Sequence, residues 1–99
     1  MELEDGIPGM KKHLYIKISG PRVQGIGFRW SAYEKFVELE LQGKAENSAD
    51  GSITINAEGP EEVLAQLVEW CHQGPMGAKI SKVETAEPAE PFAAKNVKS

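Results

Sequence analysis

The sequence predicts an α+β domain with the element order βαββαβ. Three observations carry that prediction. Apolar and polar residues alternate over residues 13–19 and 52–57, placing Leu14, Ile16 and Ile18 on one face of a first strand and Ile53, Ile55 and Ala57 on one face of another. Two stretches repeat at helical spacing instead: Phe28, Ala32 and Phe36 in one, and Leu64, Leu67, Val68 and Cys71 in the other. Asp50-Gly51 is a tight-turn signal joining residues 44–48 to 52–57 as a hairpin. Two helices on one face of an antiparallel sheet of four to five strands make a two-layer sandwich, the split-βαβ or ferredoxin-like arrangement. That arrangement hosts many functions and proves none.

Each element has its own local reasons. Residues 1–10 are acidic and then punctuated by glycine and proline, and are expected to form a disordered arm before a single domain over 11–99. On the first strand, His13, Tyr15 and Lys17 share the outer face, where His13 reads as an ordinary surface residue. The first helix is expected from Arg29 to Leu41, with Tyr33 and Val37 repeating beside the main stripe and Leu39 continuing it. Gln42-Gly43 ends it, with Gly43 as a left-handed cap. Trp30, Tyr33 and Phe36 are expected in the core rather than as a stacking platform. Gly59-Pro60-Glu61-Glu62 opens the second helix, with proline at its first position and two carboxylates facing the positive end of the dipole. Gly74-Pro75 closes it. Cys71 falls on the buried stripe as a structural thiol. A fourth strand over 78–84 alternates imperfectly, since Ile80 and Val83 are three apart, which predicts a bulge or an irregular end. A rigid connector over 87–91 and a short last strand over 92–97 complete the chain.

Composition narrows the function. Ninety-nine residues, 40% hydrophobic and 26% charged, suit one soluble domain with a single core. The net charge, 11 − 15 = −4, opposes a broad nucleic-acid footprint. One cysteine excludes an internal disulfide, so nothing calls for an oxidising compartment. No apolar run reaches membrane-spanning length, and the acidic start Met1-Glu2-Leu3-Glu4-Asp5 lacks the positive region of a signal peptide. The expectation is a cytoplasmic monomer that acts on a small molecule and binds neither nucleic acid nor membrane.

Chemistry concentrates in Gly20-Pro21-Arg22-Val23-Gln24-Gly25-Ile26-Gly27-Phe28-Arg29, where the first strand runs into the first helix. Glycines let the backbone turn and bring its N–H groups close to a ligand. A helix N-terminus adds unpaired donors and partial positive charge. Arg29 in the first helical turn opposes the dipole, a conflict that a bound anion removes, and its planar guanidinium matches phosphate oxygens bidentately. The loop is not a nucleotide P-loop, because Ile26 and Gly27 stand where Lys and Ser/Thr are needed. It is not a dinucleotide motif, because Trp30 replaces the third glycine. Asn47 reads locally as a hairpin residue near a turn; in a site, its carboxamide would hold a water for attack.

Arg22-Val23-Gln24-Gly25-Ile26-Gly27-Phe28-Arg29 resembles the signature loop of the acylphosphatases. Gly43-Lys44-Ala45-Glu46-Asn47, followed by Asp50-Gly51-Ser52-Ile53 and Ala57-Glu58-Gly59, resembles that family's second signature. Val68-Glu69-Trp70, Gly74-Pro75, Ala78 and Val83 also fit, so the resemblance covers about residues 12–93. It implies hydrolysis of the carboxyl-phosphate bond of acyl phosphates to a carboxylate and inorganic phosphate, without metal or cofactor. It makes Arg29 the phosphate-binding arginine and Asn47 the water-orienting asparagine. The backbone from Arg22 to Phe28 would cradle the phosphoryl oxygens.

Three departures stand out. Pro21, an apparent insertion before Arg22, has no N–H; it is harmless if the cradle draws its donors from Val23 onward and costs phosphate affinity if it needs one at 21. Lys44 replaces a usual aromatic residue, trimming the core or a substrate wall. Glu46 precedes Asn47, and strand alternation directs its carboxylate to the opposite face. A catalytically weak phosphate-binding domain of the same family is the alternative that Pro21 raises. An RNA-binding module of this fold order would need aromatic residues on the central strands, and residues 52–57 contain none.

Overall fold

Alternating apolar residues build the covered face of one sheet, and two helices lie across it. The computed structural model describes residues 11–86. The elements are β1 Lys12–Ser19, α1 Phe28–Leu39, β2 Gln42–Asn47, β3 Ile53–Gly59, α2 Glu61–Gln73 and β4 Lys82–Ala86. The four strands form an antiparallel sheet in the order β2-β3-β1-β4. This is the expected ferredoxin-like topology. Central β1 pairs Ile16 with Ile55 and Ile18 with Ile53 on one side, and Ile18 with Val83 on the other. The expected arm over 1–10, the connector over 87–91 and the last strand over 92–97 lie outside the described residues.

One core joins the layers. Ile16, Ile18, Ile53, Ile55 and Ala57 meet Phe28, Ala32 and Phe36 from α1 and Leu64, Leu67 and Cys71 from α2. Each fully buried aliphatic side chain contributes about 1.5–3 kcal/mol relative to exposure. On the opposite sheet face, His13 hydrogen-bonds Asn56 and stacks on Tyr15 with 5.0 Å between ring centroids. His13 is thus a sheet-surface residue, as its position in the alternation predicts.

Several boundaries differ from expectation. Helix α1 stops at Leu39, and its left-handed cap is Glu40 (φ 58°), not Gly43. Leu41 is the reason: its N–H returns to the Phe36 carbonyl at 2.8 Å while its side chain turns into the core. Gly43 instead lies in β2, where a Cβ would come within 2.9 Å of the Phe36 ring. Only Phe36 of the three aromatic residues expected in the core is there; Trp30 is 72% and Tyr33 42% exposed. The buried stripe of α1 runs Phe28-Ala32-Phe36, and residues 30, 33 and 37 stand off it. Tyr33 keeps a structural task, since its hydroxyl accepts the Ala45 N–H at 3.1 Å and ties α1 to β2.

Pro60 caps α2 from outside rather than occupying its first turn, because its carbonyl already accepts from Leu64 at 2.9 Å. The predicted irregularity in the fourth strand falls before β4. There Lys79 bridges Arg22, and the Ser81 N–H donates to the Ser19 carbonyl at 2.8 Å. A Cβ at Gly20 would lie 2.1 Å from the Lys79 carbonyl oxygen, so this approach needs glycine. Among the described residues no helix is long and apolar enough to cross a membrane.

Candidate active site

The segment between β1 and α1 is pinned at one end and open along the rest. The Arg22 N–H donates to Lys79 at 3.3 Å, and the Lys79 N–H donates back to Arg22 at 2.8 Å. From Val23 to Trp30, no main-chain N–H has an acceptor among the described residues. The last three of these donors belong to the first turn of α1, where a helix provides no partner. Gly27 is the cap residue, with φ 81° and no side chain to satisfy the turn, and no carboxylate lies in that turn. Gly25 also has positive φ, 78°. A Cβ on either glycine would meet nothing within 4 Å, so the dihedral angle rather than crowding calls for glycine here. Unpaired donors at the positive end of a helix form an anion site.

Six of the eight residues from Val23 to Trp30 border a hollow of about 210 Å³. Val23, Gly25, Gly27, Phe28 and Arg29 line it from the loop and helix, and Asn47 and Ile53 line it from the hairpin. Trp30 completes the rim. The two residues singled out for chemistry, Arg29 and Asn47, therefore line one cavity from different elements. Arg29 is exposed and has no ion pair or hydrogen bond among the described residues. Asn47 ends β2, on the same strand face as buried Ala45. Glu46 points the other way and pairs with Lys44 at 3.7 Å. Neither Lys44 nor Glu46 lines the hollow, so the departures at those positions leave its wall intact.

Arg22, Gln24 and Ile26 do not line this hollow. They border a second depression of about 470 Å³ with Gly20, Pro21 and Gly51, and Val23 and Gly25 line both. Pro21 precedes the pinned residue, Arg22, so the run of open donors that starts at Val23 loses nothing to it.

Gln24 has a role that sequence reading missed. Its Nε2 donates to the Ser48 carbonyl at 2.8 Å and to the Ser52 carbonyl at 2.9 Å. Ser48 directly follows Asn47. The glutamine thus fastens the anion loop to the turn that presents Asn47, across 24 and 28 residues of sequence. Its amide amid glycines and apolar residues was the available signal. The turn itself is braced by Asp50, whose Oδ1 accepts from the Ser52 N–H at 3.0 Å and the Ser52 hydroxyl at 2.6 Å. Its Oδ2 pairs with Lys17 at 3.0 Å. The Ser52 hydrogen bonds, then Lys17, hold the Asp50 carboxyl well below the usual carboxylate range.

No cluster of three His, Cys, Asp or Glu side chains forms among the described residues. Cys71 sits at 0% exposure, and burial pushes its thiol up to about 12, far from nucleophilic use.

Comparison with known proteins agrees with the geometry. The acylphosphatase family model matches residues 14–95. An acylphosphatase of Halorhodospira halophila is 47% identical over 73 residues, 74% of this chain and 77% of that protein. One from Synechococcus (strain CC9902) is 41% identical over 66 residues, 67% of this chain and 56% of the relative. An acylphosphatase structure from Coxiella burnetii superposes with a TM-score of 0.74 at 34% identity, covering 78% of this chain and 80% of that one.

Proposed function

This chain belongs to the acylphosphatase family, and we propose that it hydrolyses acyl phosphates to a carboxylate and inorganic phosphate in the hollow between Arg29 and Asn47. The observation that supports this reading is that both residues line one anion-sized cavity beside unpaired N–H donors. The phosphoryl group sits against the N–H groups of Val23, Gly25, Gly27 and Phe28, which border the hollow, and the Arg29 guanidinium takes two of its oxygens. Charge spreads over those oxygens as the transition state forms, so fixed donors stabilise it without rearranging. The Asn47 carboxamide accepts a hydrogen bond from a water and orients it in line with phosphorus. The water oxygen bonds to phosphorus, and the bond from phosphorus to the acyl oxygen breaks. The carboxylate leaves, and the water's proton passes to a phosphoryl oxygen. A carboxylate is a good leaving group, so the chemistry asks for positioning more than for a strong base.

The test is hydrolysis of benzoyl phosphate by the purified protein with a chelator present, read with inhibition by inorganic phosphate. Wild type is expected to turn over with chelator. Arg29→Ala loses phosphate inhibition and turnover together, about 10²–10³-fold in rate. Asn47→Ala loses turnover at unchanged phosphate inhibition. Phosphate inhibiting Arg29→Ala as it does wild type would remove the assigned role. Binding of phosphate by wild type without turnover would select the catalytically weak alternative, against which the intact donor run beyond Pro21 argues. The same reading takes the protein as a cytoplasmic monomer that binds neither nucleic acid nor membranes. Its net charge of −4 supports the first exclusion, and gel filtration tests the oligomeric state.

A further inference from the structure

We infer that Trp30 is the acyl-group platform of this site and makes the enzyme favour flat, apolar acyl phosphates over acetyl phosphate. The inference rests on the proposed hydrolysis and adds a substrate preference to it. Trp30 follows Arg29 in the first turn of α1 and lines the same hollow as Arg29 and Asn47. Its side chain is 72% exposed, an unusual state for so large an apolar group.

Among the described residues, the other Phe, Tyr and Trp rings are engaged. Trp70 meets Phe28 edge-on at 5.4 Å, Tyr33 meets Phe36 at 5.3 Å, and His13 stacks on Tyr15. Trp30 has no ring contact, hydrogen bond or cation neighbour among the described residues. The remaining apolar lining, Val23, Phe28 and Ile53, is at most 1% exposed and closes the floor. A phosphoryl group held by the N–H run therefore has its acyl group directed outward, past the rim. The large apolar surface available there is the indole face. An offset-stacked or edge-on aromatic acyl group would cover it, and a methyl group would leave most of it wet.

The experiment compares kcat/KM for benzoyl phosphate and acetyl phosphate in wild type, Trp30→Ala and Trp30→Phe, with inorganic phosphate inhibition measured in each. Wild type is expected to prefer benzoyl phosphate. Trp30→Ala is expected to cut that preference roughly tenfold, mainly through KM for benzoyl phosphate. Phosphate inhibition and acetyl phosphate turnover stay near wild type, and Trp30→Phe restores most of the preference. An unchanged preference, an equal fall for both substrates, or altered phosphate inhibition overturns the inference and leaves the hydrolysis standing. Hydrolysis of neither substrate by wild type overturns the proposed activity, and this inference with it.

Discussion

Gln24 shows how one side chain can set the geometry of a site without touching the reacting atoms. Its two hydrogen bonds hold the loop with the open N–H groups at a fixed distance from the turn after Asn47. Gln24→Leu keeps the volume and removes both bonds. The Ser48 and Ser52 carbonyls retain main-chain partners in Gly51 and Ser48, so the cost in stability is expected to be about 1–2 kcal/mol by urea unfolding. Misplacement by an ångström can cost ~10²-fold in rate, so kcat should fall by roughly ten- to a hundredfold. Phosphate inhibition should barely move, because Arg29 and the N–H donors stay where they are. An unaltered kcat would show that the fastening is irrelevant to catalysis. Arg29 and Asn47 were legible as chemical groups from sequence, through helix polarity and the family resemblance. The side-chain role of Gln24 was missed because its partners are remote in sequence and no local pattern encodes them.

At the level of elements, the hairpin and α1 answer to different rules. The β2–β3 turn follows from Asp50-Gly51, and Gly51 has the positive φ, 93°, which such a turn uses. Asp50 also braces the turn through Ser52 and anchors it to β1 through Lys17. Its folded-state pKa lies below the unfolded value, so its stabilisation is full above the ordinary aspartate range, near pH 4. It wanes as pH falls from there towards the depressed folded value and vanishes below it. Urea unfolding of wild type and Asp50→Ala at pH 7, 5 and 3 should therefore show a gap that is constant between pH 7 and 5 and narrower at pH 3. A gap that widens on acidification would contradict the sign. In α1 the stripe Phe28-Ala32-Phe36 was read correctly, but the placement of Trp30 and Tyr33 in the core and the helix end were not. Sequence offered Gly43 as a cap, whereas burial of Leu41 drew the chain out of the helix at Glu40.

Across the whole molecule, stability lies in a single core shared by both layers, so a defect in it should be felt everywhere. Leu67 is 0% exposed, and Leu67→Ala should cost about 2–5 kcal/mol. Cys71→Ser places a hydroxyl in the same apolar surroundings and should cost about 1–3 kcal/mol. In wild type, the buried thiol should resist alkylation until urea unfolds the chain, at the same midpoint seen by circular dichroism. Rapid labelling of the folded protein would mean that the core opens locally at α2.

The fold class, the order of elements, the acidic character and the identity of the loop and hairpin motifs were set by the linear chain, because periodicity, turn chemistry and residue type act over a few neighbours. What only the tertiary structure decided is which of those residues meet. It brought Arg29 and Asn47 to one hollow, turned Glu46 and Lys44 away from it, and left Arg22 bonded to Lys79 outside it. It also put Trp30 on the rim when helical spacing had suggested the core. Those outcomes depend on strand pairing and on which stripe of α1 wins the limited area of the sheet. Such a competition is settled between residues far apart in sequence, where no local pattern reaches.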